Sequence, residues 1–302
     1  MLHKANGAFL CNIQFCFTSH KKFPRVIICV SGHHESRHFE RMEQNMNKQI
    51  RSVFTVFLCL TFFLSMPVFA MEQTKPFDWY FKKNDKHERP ALPSEFSFLE
   101  EQSGHFLGKD EKVIYLTFDA GYENGNIEKI LDALKAHNAP GAFFILENLV
   151  NRNPELIRRM AEEGHLVCNH TAKHPDMSRI TDKEAFCKQL RDMETIYSEK
   201  TGLTLAPYYR PPQGKFTAQN LKYAAEMGYH TVFWSFAYAD WDNDRQPDPE
   251  TALAEILEHT HPGMVILLHP TSHTNAAIMD KLLTEWEEEG YRFGTLDELA
   301  GK

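Results

Sequence analysis

Five ionisable side chains stand at or just beyond the ends of short apolar runs. Asp119 follows Val113 to Phe118, His170 follows Leu166 to Asn169, Arg210 follows Tyr208 to Tyr209, Asp240 lies shortly after Thr231 to Phe236, and His269 follows Met264 to Leu268. Carboxylate, imidazole and guanidinium groups gathered in one place can move protons or hold a metal ion. His170 and His174, in Asn169-His-Thr-Ala-Lys-His-Pro175, are four residues apart. On a helical turn that spacing puts both imidazoles on one face, where they can share a metal ion. Singly, each residue has an ordinary reading: Asp119 as the cap of a helix starting near Asn124, His269 as a satisfied core histidine, Arg210 as half of a surface ion pair. Jointly, those readings need five ionisable groups at apolar strand ends by coincidence. Asp119 itself lies in Leu116-Thr-Phe-Asp-Ala-Gly-Tyr-Glu-Asn-Gly125, where strand formers end in an acid and a Gly-rich turn. Its neighbour Ala120 has no chemistry to offer.

The elements that must position these groups are legible as two alternating patterns. Strands are expected at Val113 to Phe118, Ala142 to Leu146, Leu166 to Asn169, Tyr208 to Tyr209, Thr231 to Phe236, Met264 to Leu268 and, more weakly, Tyr291 to Phe293. Helical patterns run over Asn126 to His137, Pro154 to Glu163, Asp182 to Lys200, Thr217 to Met227, Pro249 to His259 and Asn275 to Glu289. Pro154 suits a first turn, Asp182 an N-cap, and Gly164, Gly202, Gly228 and Gly290 the ends. Such alternation implies an α/β fold with a parallel sheet. A doubly wound sheet focuses a ligand at one switch point, whereas barrel strands converge with all their C-terminal ends on one mouth. Five strand-end groups therefore favour a distorted (β/α) barrel of about seven parallel strands.

The first 70 residues differ from the rest. Val53 to Leu64 is apolar, preceded by Lys48 and Arg51 and followed by the small-residue exit Val68-Phe69-Ala70, a secretory signal pattern too short and too interrupted by Pro67 to span a bilayer. Residues 46–70 are thus expected to be a signal peptide for export, with translation starting at Met46 or Met42 and residues 1–45 outside the working protein. Residues 71–110 read as an extension packing on the domain through Phe77, Trp79, Tyr80 and Phe81, and 111–302 as the catalytic domain. Loss of residues 1–70, with eight Lys/Arg and three Glu, takes the net charge from −8 to −13. That balance disfavours a nucleic-acid partner. Only Cys168 and Cys187 remain of six cysteines, too few for a disulfide scaffold, and either a pair or two buried thiols fits.

In order, Thr117-Phe-Asp-Ala-Gly121, His170-Thr-Ala-Lys-His-Pro175, Arg210-Pro-Pro-Gln-Gly214, Asp240-Trp241 and Leu267-Leu-His269 resemble the five motifs of the polysaccharide deacetylases with the NodB-homology domain, carbohydrate esterase family four. The resemblance covers about Val113 to Leu299. With Tyr122-Glu-Asn-Gly125 and Phe233-Trp-Ser235 it is similar, more narrowly, to the delta-lactam-biosynthetic de-N-acetylases, which act on N-acetylmuramic acid in spore cortex peptidoglycan. It implies a monomeric hydrolase acting on the glycan strand, with no stable protein partner. His170 and His174 would hold a divalent metal, zinc being the expected ion, and Asp119 would be the general base, oriented and kept ionised by Arg210. His269, held protonated by Asp240, would be the general acid. Pro211 and Pro212 have no N–H, which leaves Gln213 and Gly214 as amides for an oxyanion, and Trp241 as an apolar wall for the sugar or acetyl group.

Ala120 departs from the family, most of whose members carry a second, metal-binding acid there. Glu123 or a substrate oxygen is the available replacement. An N-acetylglucosamine or chitin-type deacetylase is the alternative within the family, and a silent glycan-binding module the alternative outside catalysis. A binding module has no use for both a base and an acid, so the retained Asp119, Arg210, Asp240 and His269 favour the enzyme.

Overall fold

The computed structural model describes residues 73–83 and 86–302, residues 46, 48 and 49, and two short antiparallel strands, β1 (Phe15–Phe17) and β2 (Val26–Ile28), with Phe15 opposite Ile28. The expected signal peptide thus lies almost wholly outside the described residues. Two compact units are present, Met1–Met71 and Glu72–Lys302, and all that follows concerns the second. Its strands are β3 (Phe77–Asp78), β4 (Gly104–His105), β5 (Val113–Ala120), β6 (Gly141–Ile145), β7 (Leu166–Asn169), β8 (Tyr208–Tyr209), β9 (Lys215–Phe216), β10 (His230–Val232), β11 (Phe236–Ala237), β12 (Met264–Leu268) and β13 (Arg292–Phe293). Its helices are α1 (Ile127–Ala136), α2 (Glu147–Arg152), α3 (Pro154–Glu162), α4 (Lys183–Thr201), α5 (Ala218–Glu226), α6 (Pro249–Glu258), α7 (His273–Glu288) and α8 (Leu296–Leu299).

Nine strands form one parallel sheet in the order β11-β12-β5-β6-β7-β8-β10-β4, with β13 pairing the start of β5 on the side that β6 later takes. The pleat of β5 explains its unbroken apolar run. Ile114, Leu116, Phe118 and Ala120 join an outer core with Ile130, Leu134, Leu282 and Trp286 of the covering helices. Val113 and Tyr115 point the other way, into an inner cluster with Phe144, Cys168, Tyr208, Val232 and Val265. Strands covered on both faces read as continuous rather than alternating hydrophobic segments. Asp119 continues the inward series at the C-terminal end, while Ala120 is fully buried in the outer one.

The expected strand Thr231 to Phe236 is in fact broken. β10 pairs with β8, β11 pairs with β12, and Phe233 to Ser235 turns from one to the other. The break closes the barrel by chain continuity. Near β11 the Ser235 N–H donates to Val265 O at 2.9 Å and the Val265 N–H donates to Ser235 Oγ at 3.0 Å. At the opposite end β4 fills the gap: Phe233 N–H donates to His105 O at 2.7 Å, and Gly108 N–H to Gly263 O at 2.7 Å. The fold is accordingly a distorted (β/α) barrel, with parallel strands as the sequence implied.

Caps fix the helix ends. Asp182 accepts from Ala185 N–H before α4, and Gly202 ends it at φ 75°. Ser272 accepts from Asn275 N–H, so α7 begins at His273, ahead of the expected Asn275. Helices α2 and α8 are short and carry no periodic signal of their own. Phe77, Trp79 and Phe81 of the extension pack as expected, but Tyr80 is 41% exposed, its ring resting edge-on against Phe96. Cys168 and Cys187 are both buried free thiols. Among the described residues no helix is long and apolar enough to cross a membrane.

Gly263 sits at φ 72° where an added Cβ would lie 2.3 Å from Lys109 O and 2.8 Å from Gly108 backbone. Backbone cannot yield as a flexible side chain does. Gly263→Ala is therefore expected to cost about 2 kcal/mol or more in chemical denaturation. Gly125→Ala, at φ 91° but with open space around it, should cost about 1 kcal/mol, the backbone term alone.

Candidate active site

Arg210, placed after β8 by an N–H bond to Asn169 O at 3.1 Å, is fully buried. Its guanidinium is answered on every side. Nε donates to Val232 O at 2.9 Å, Nη1 to Asp119 Oδ1 at 2.8 Å, and Nη2 to Thr117 Oγ1 at 2.8 Å and Phe233 O at 3.4 Å. Cζ also lies 4.2 Å from the Phe144 ring centre. Arg210 is thus no surface ion pair but the charged centre of the barrel, joining β5 to the broken strand. Burial alone would raise the Asp119 pKa, but His170, the Arg210 charge and hydrogen bond, and His269 outweigh it and hold the carboxyl below its ordinary value. Asp119 does not cap α1, whose N-cap is Asn126.

His170 and His174 meet by a route other than the expected helical turn. Residues 170–174 form a loop in which Thr171 and His174 both have left-handed backbones, at φ 71° and 57°. Asn169 Oδ1 accepts from Thr171 N–H at 2.9 Å, and Thr171 Oγ1 from His174 N–H at 3.0 Å, so two side-chain turns replace helix. The ring centres lie 5.0 Å apart. His170 Nδ1 bonds Arg210 O at 2.9 Å, which makes it the N–H and leaves Nε2 as a lone pair, 3.4 Å from Asp119 Oδ2. Burial lowers the His170 pKa to about 4, and burial likewise lowers that of His174. Two neutral imidazoles, one oriented by a backbone carbonyl, beside a carboxylate fit a divalent ion as donors. Among the described residues no group of three or more His, Cys, Asp or Glu side chains converges as a ready ligand set. Glu123 is not drawn in: its Oε1 accepts from Gly125 N–H and closes the turn.

Opposite polarity governs the other pair. Asp240, fully buried, accepts from His269 Nδ1 at 2.8 Å through Oδ1 and from the His269 N–H at 2.7 Å through Oδ2. Burial opposes protonation of His269, but the charge and hydrogen bond of Asp240, with Asp119 further off, outweigh it and raise the pKa. Asn275 secures both partners, its Nδ2 donating to Asp240 Oδ2 at 2.7 Å and to His269 O at 3.1 Å, while Tyr238 Oη donates to its Oδ1. Gln246 Nε2 holds Asp240 O at 2.8 Å. The sequence carries no sign of these duties of Asn275, Gln246 and Thr117, because an amide or a hydroxyl inside an amphipathic pattern gives no signal of what it will face.

In the Arg210-Pro-Pro-Gln-Gly214 loop, Gln213 and Gly214 both adopt positive φ, 59° and 66°. The Gly214 N–H is not free as expected, since it donates to Pro211 O at 3.0 Å and closes a tight turn. The Gln213 N–H has no protein acceptor among the described residues and is the amide left for an oxyanion. Trp241, next to Asp240, is 63% exposed, an apolar face open to solvent rather than a buried wall.

A family model described as polysaccharide deacetylase matches residues 107–232. The peptidoglycan-N-acetylmuramic acid deacetylase PdaA of Bacillus subtilis is 38% identical over 227 residues, 74% of this chain and 86% of that protein. Its solved structure, described as a family 4 carbohydrate esterase, superposes with a TM-score of 0.72 over 75% of this chain and 97% of that one, again at 38% identity. A peptidoglycan-N-acetylglucosamine deacetylase of Bacillus cereus is 34% identical over 207 residues, 67% of this chain and 73% of that protein.

Arg210→Met keeps the side-chain volume but leaves Asp119 and two backbone carbonyls buried without their cation. A loss of about 3–5 kcal/mol in urea denaturation at neutral pH is expected. The double variant with Asp119→Asn should recover part of that loss, because it removes the unpaired charge.

Proposed function

This chain belongs to the polysaccharide deacetylase family of hydrolases, and on that premise we propose that it removes the acetyl group from N-acetylmuramic acid of peptidoglycan by metal-assisted amide hydrolysis. The observation that carries the reading is a pair of opposed contacts at one barrel mouth: Asp119, on the Arg210 guanidinium at 2.8 Å, has its pKa lowered, and His269, on the buried Asp240 carboxylate at 2.8 Å, has its pKa raised. Pairs of titratable groups driven apart in this way mark a base and an acid. Muramic acid is preferred because PdaA, at 38% identity, is named for that sugar. The relative named for N-acetylglucosamine, at 34%, supplies the second reading.

The roles follow from the geometry. His170 and His174 would hold the ion, which supplies Lewis acidity toward the acetyl carbonyl and toward water. Asp119, fixed by Arg210, takes the proton of the attacking water. The Gln213 N–H faces the oxyanion of the tetrahedral intermediate. His269 then gives its proton to the nitrogen, since an amine leaves poorly without one, and acetate departs. Trp241 offers an apolar face for the sugar. The apolar run at Val53 to Leu64 with its flanking charges supports export as a signal peptide, and the likeness to lactam-pathway enzymes supports action in the spore cortex.

The decisive test incubates the domain from residue 71 onward, with and without chelator, with peptide-free and peptide-bearing peptidoglycan fragments, and identifies the sugar that loses acetate. Release from N-acetylmuramic acid, abolished by chelator and restored by zinc, is expected. Acetate from N-acetylglucosamine alone would shift the substrate to the second reading, and none from any glycan would overturn catalysis.

The pH profile tests the assignment of acid and base. A raised His269 pKa keeps the acid protonated to a higher pH than a free imidazole, so activity is lost as pH rises through that value. Asp240→Asn removes the charge that raises it. The basic limb of the kcat profile should then move down by about one pH unit or more, with kcat at its optimum reduced about 100-fold.

A further inference from the structure

The segment before the barrel does more than cover it. β3 pairs antiparallel with β9, Phe77 opposite Phe216 and Asp78 opposite Lys215, directly after the Arg210-Pro-Pro-Gln-Gly214 loop. The next residue, Trp79, grips that loop and the break in the barrel together. Its N–H donates to Gly214 O at 2.8 Å and its Nε1–H to Trp234 O at 2.9 Å. The indole stacks on Phe233 at 4.5 Å and on Phe96 at 5.1 Å. Phe233 O in turn accepts from Arg210 Nη2.

The loop so gripped is strained. Gln213, an L-residue with a side chain, sits at φ 59°, and Gly214 at φ 66° has no room for a Cβ, which would lie 2.8 Å from the Trp234 ring and 3.1 Å from Trp79 Cβ. Left-handed backbones at non-Gly residues persist only where the surroundings over-determine them. Trp79 supplies that over-determination from two sides, through the Gly214 carbonyl and through the Trp234 carbonyl.

From this geometry we infer that Trp79 is a positioning residue for catalysis, clamping the Gln213-Gly214 turn so that the Gln213 N–H is aimed before substrate arrives. The inference rests on the proposed role of that amide in the deacetylation. It makes the extension part of the working site, although none of its residues touches the reacting atoms.

The test compares Trp79→Phe, which keeps an aromatic ring and loses the Nε1–H bond, Trp79→Leu, which loses the stack as well, and Phe98→Leu. Phe98 lies in the same aromatic cluster, at 5.6 Å from Phe77 and 6.4 Å from Phe216, and serves as the packing control. Acetate release from an N-acetylated peptidoglycan fragment gives kcat and KM, and Tm reports folding. A clamp predicts kcat lowered about tenfold in Trp79→Phe and more in Trp79→Leu, with KM within about twofold and the pH limbs unmoved. Phe98→Leu should lower Tm but leave kcat within about twofold. Unchanged kcat in both folded Trp79 variants, or an equal kcat loss in Phe98→Leu, overturns the inference. A wild-type chain that releases no acetate refutes the deacetylase reading instead, and with it the basis for this one.

Discussion

A guanidinium at zero exposure cannot be solvated by water, so the protein has to answer its charge with its own polar atoms. Arg210 does this with one carboxylate, one hydroxyl and two carbonyls drawn from β5, from the last residue of β10 and from the break that follows it. The break is what makes the answer possible. A continuous strand would commit Val232 O and Phe233 O to neighbouring strands, whereas the interrupted one turns them toward the cation. One buried charge therefore ties β5 to the broken strand and also bonds Asp119. Arg210 reaches further through its backbone, since its carbonyl orients His170.

The mouth is electrostatically divided. On one side a cation faces Asp119 and two imidazoles remain neutral because burial penalises their charged form. On the other, burial is outweighed by the fully buried Asp240 carboxylate, which raises the His269 pKa and favours its charged form, with Asn275 bonded to both residues. Neutral imidazoles are fit to donate lone pairs, and a charged one to donate a proton. The same residue type performs opposite duties because His269 gives its Nδ1–H to a carboxylate at 2.8 Å, whereas His170 gives its Nδ1–H to the Arg210 carbonyl and lies 3.4 Å from Asp119.

Much of this was legible in the chain because the strand ends are punctuated by residues that apolar runs do not otherwise carry. Alternation implied a parallel sheet, and Asp119, His170, Arg210, Asp240 and His269 at its strand ends favoured a barrel with one mouth. What escaped was geometry that depends on side-chain turns and on pleat. The Asn169 and Thr171 turns set His170 and His174 together without a helix, and Thr231 to Phe236 reads as one apolar strand although Phe233 to Ser235 must bend to reach both β8 and β12. Ala120 was conspicuous by type, but only the pleat shows it in the outer apolar layer, on the opposite face of β5 from Thr117 and Tyr115. The duties of Trp79 and Asn275 were hidden because each bonds a partner more than thirty residues away, a relation that no local pattern encodes.

The central claim is that the groups around Asp119, His170 and the bonded Arg210 guanidinium foremost, keep it a carboxylate at the pH where a base is needed. Carbon-13 NMR of the Asp119 carboxyl in the folded chain, assigned by its absence in Asp119→Asn and followed through pH, measures this directly. The account predicts an ionised carboxyl at neutral pH and a midpoint below the ordinary value near 3.8. A carboxylic acid at neutral pH, or a midpoint raised above that value, would contradict it.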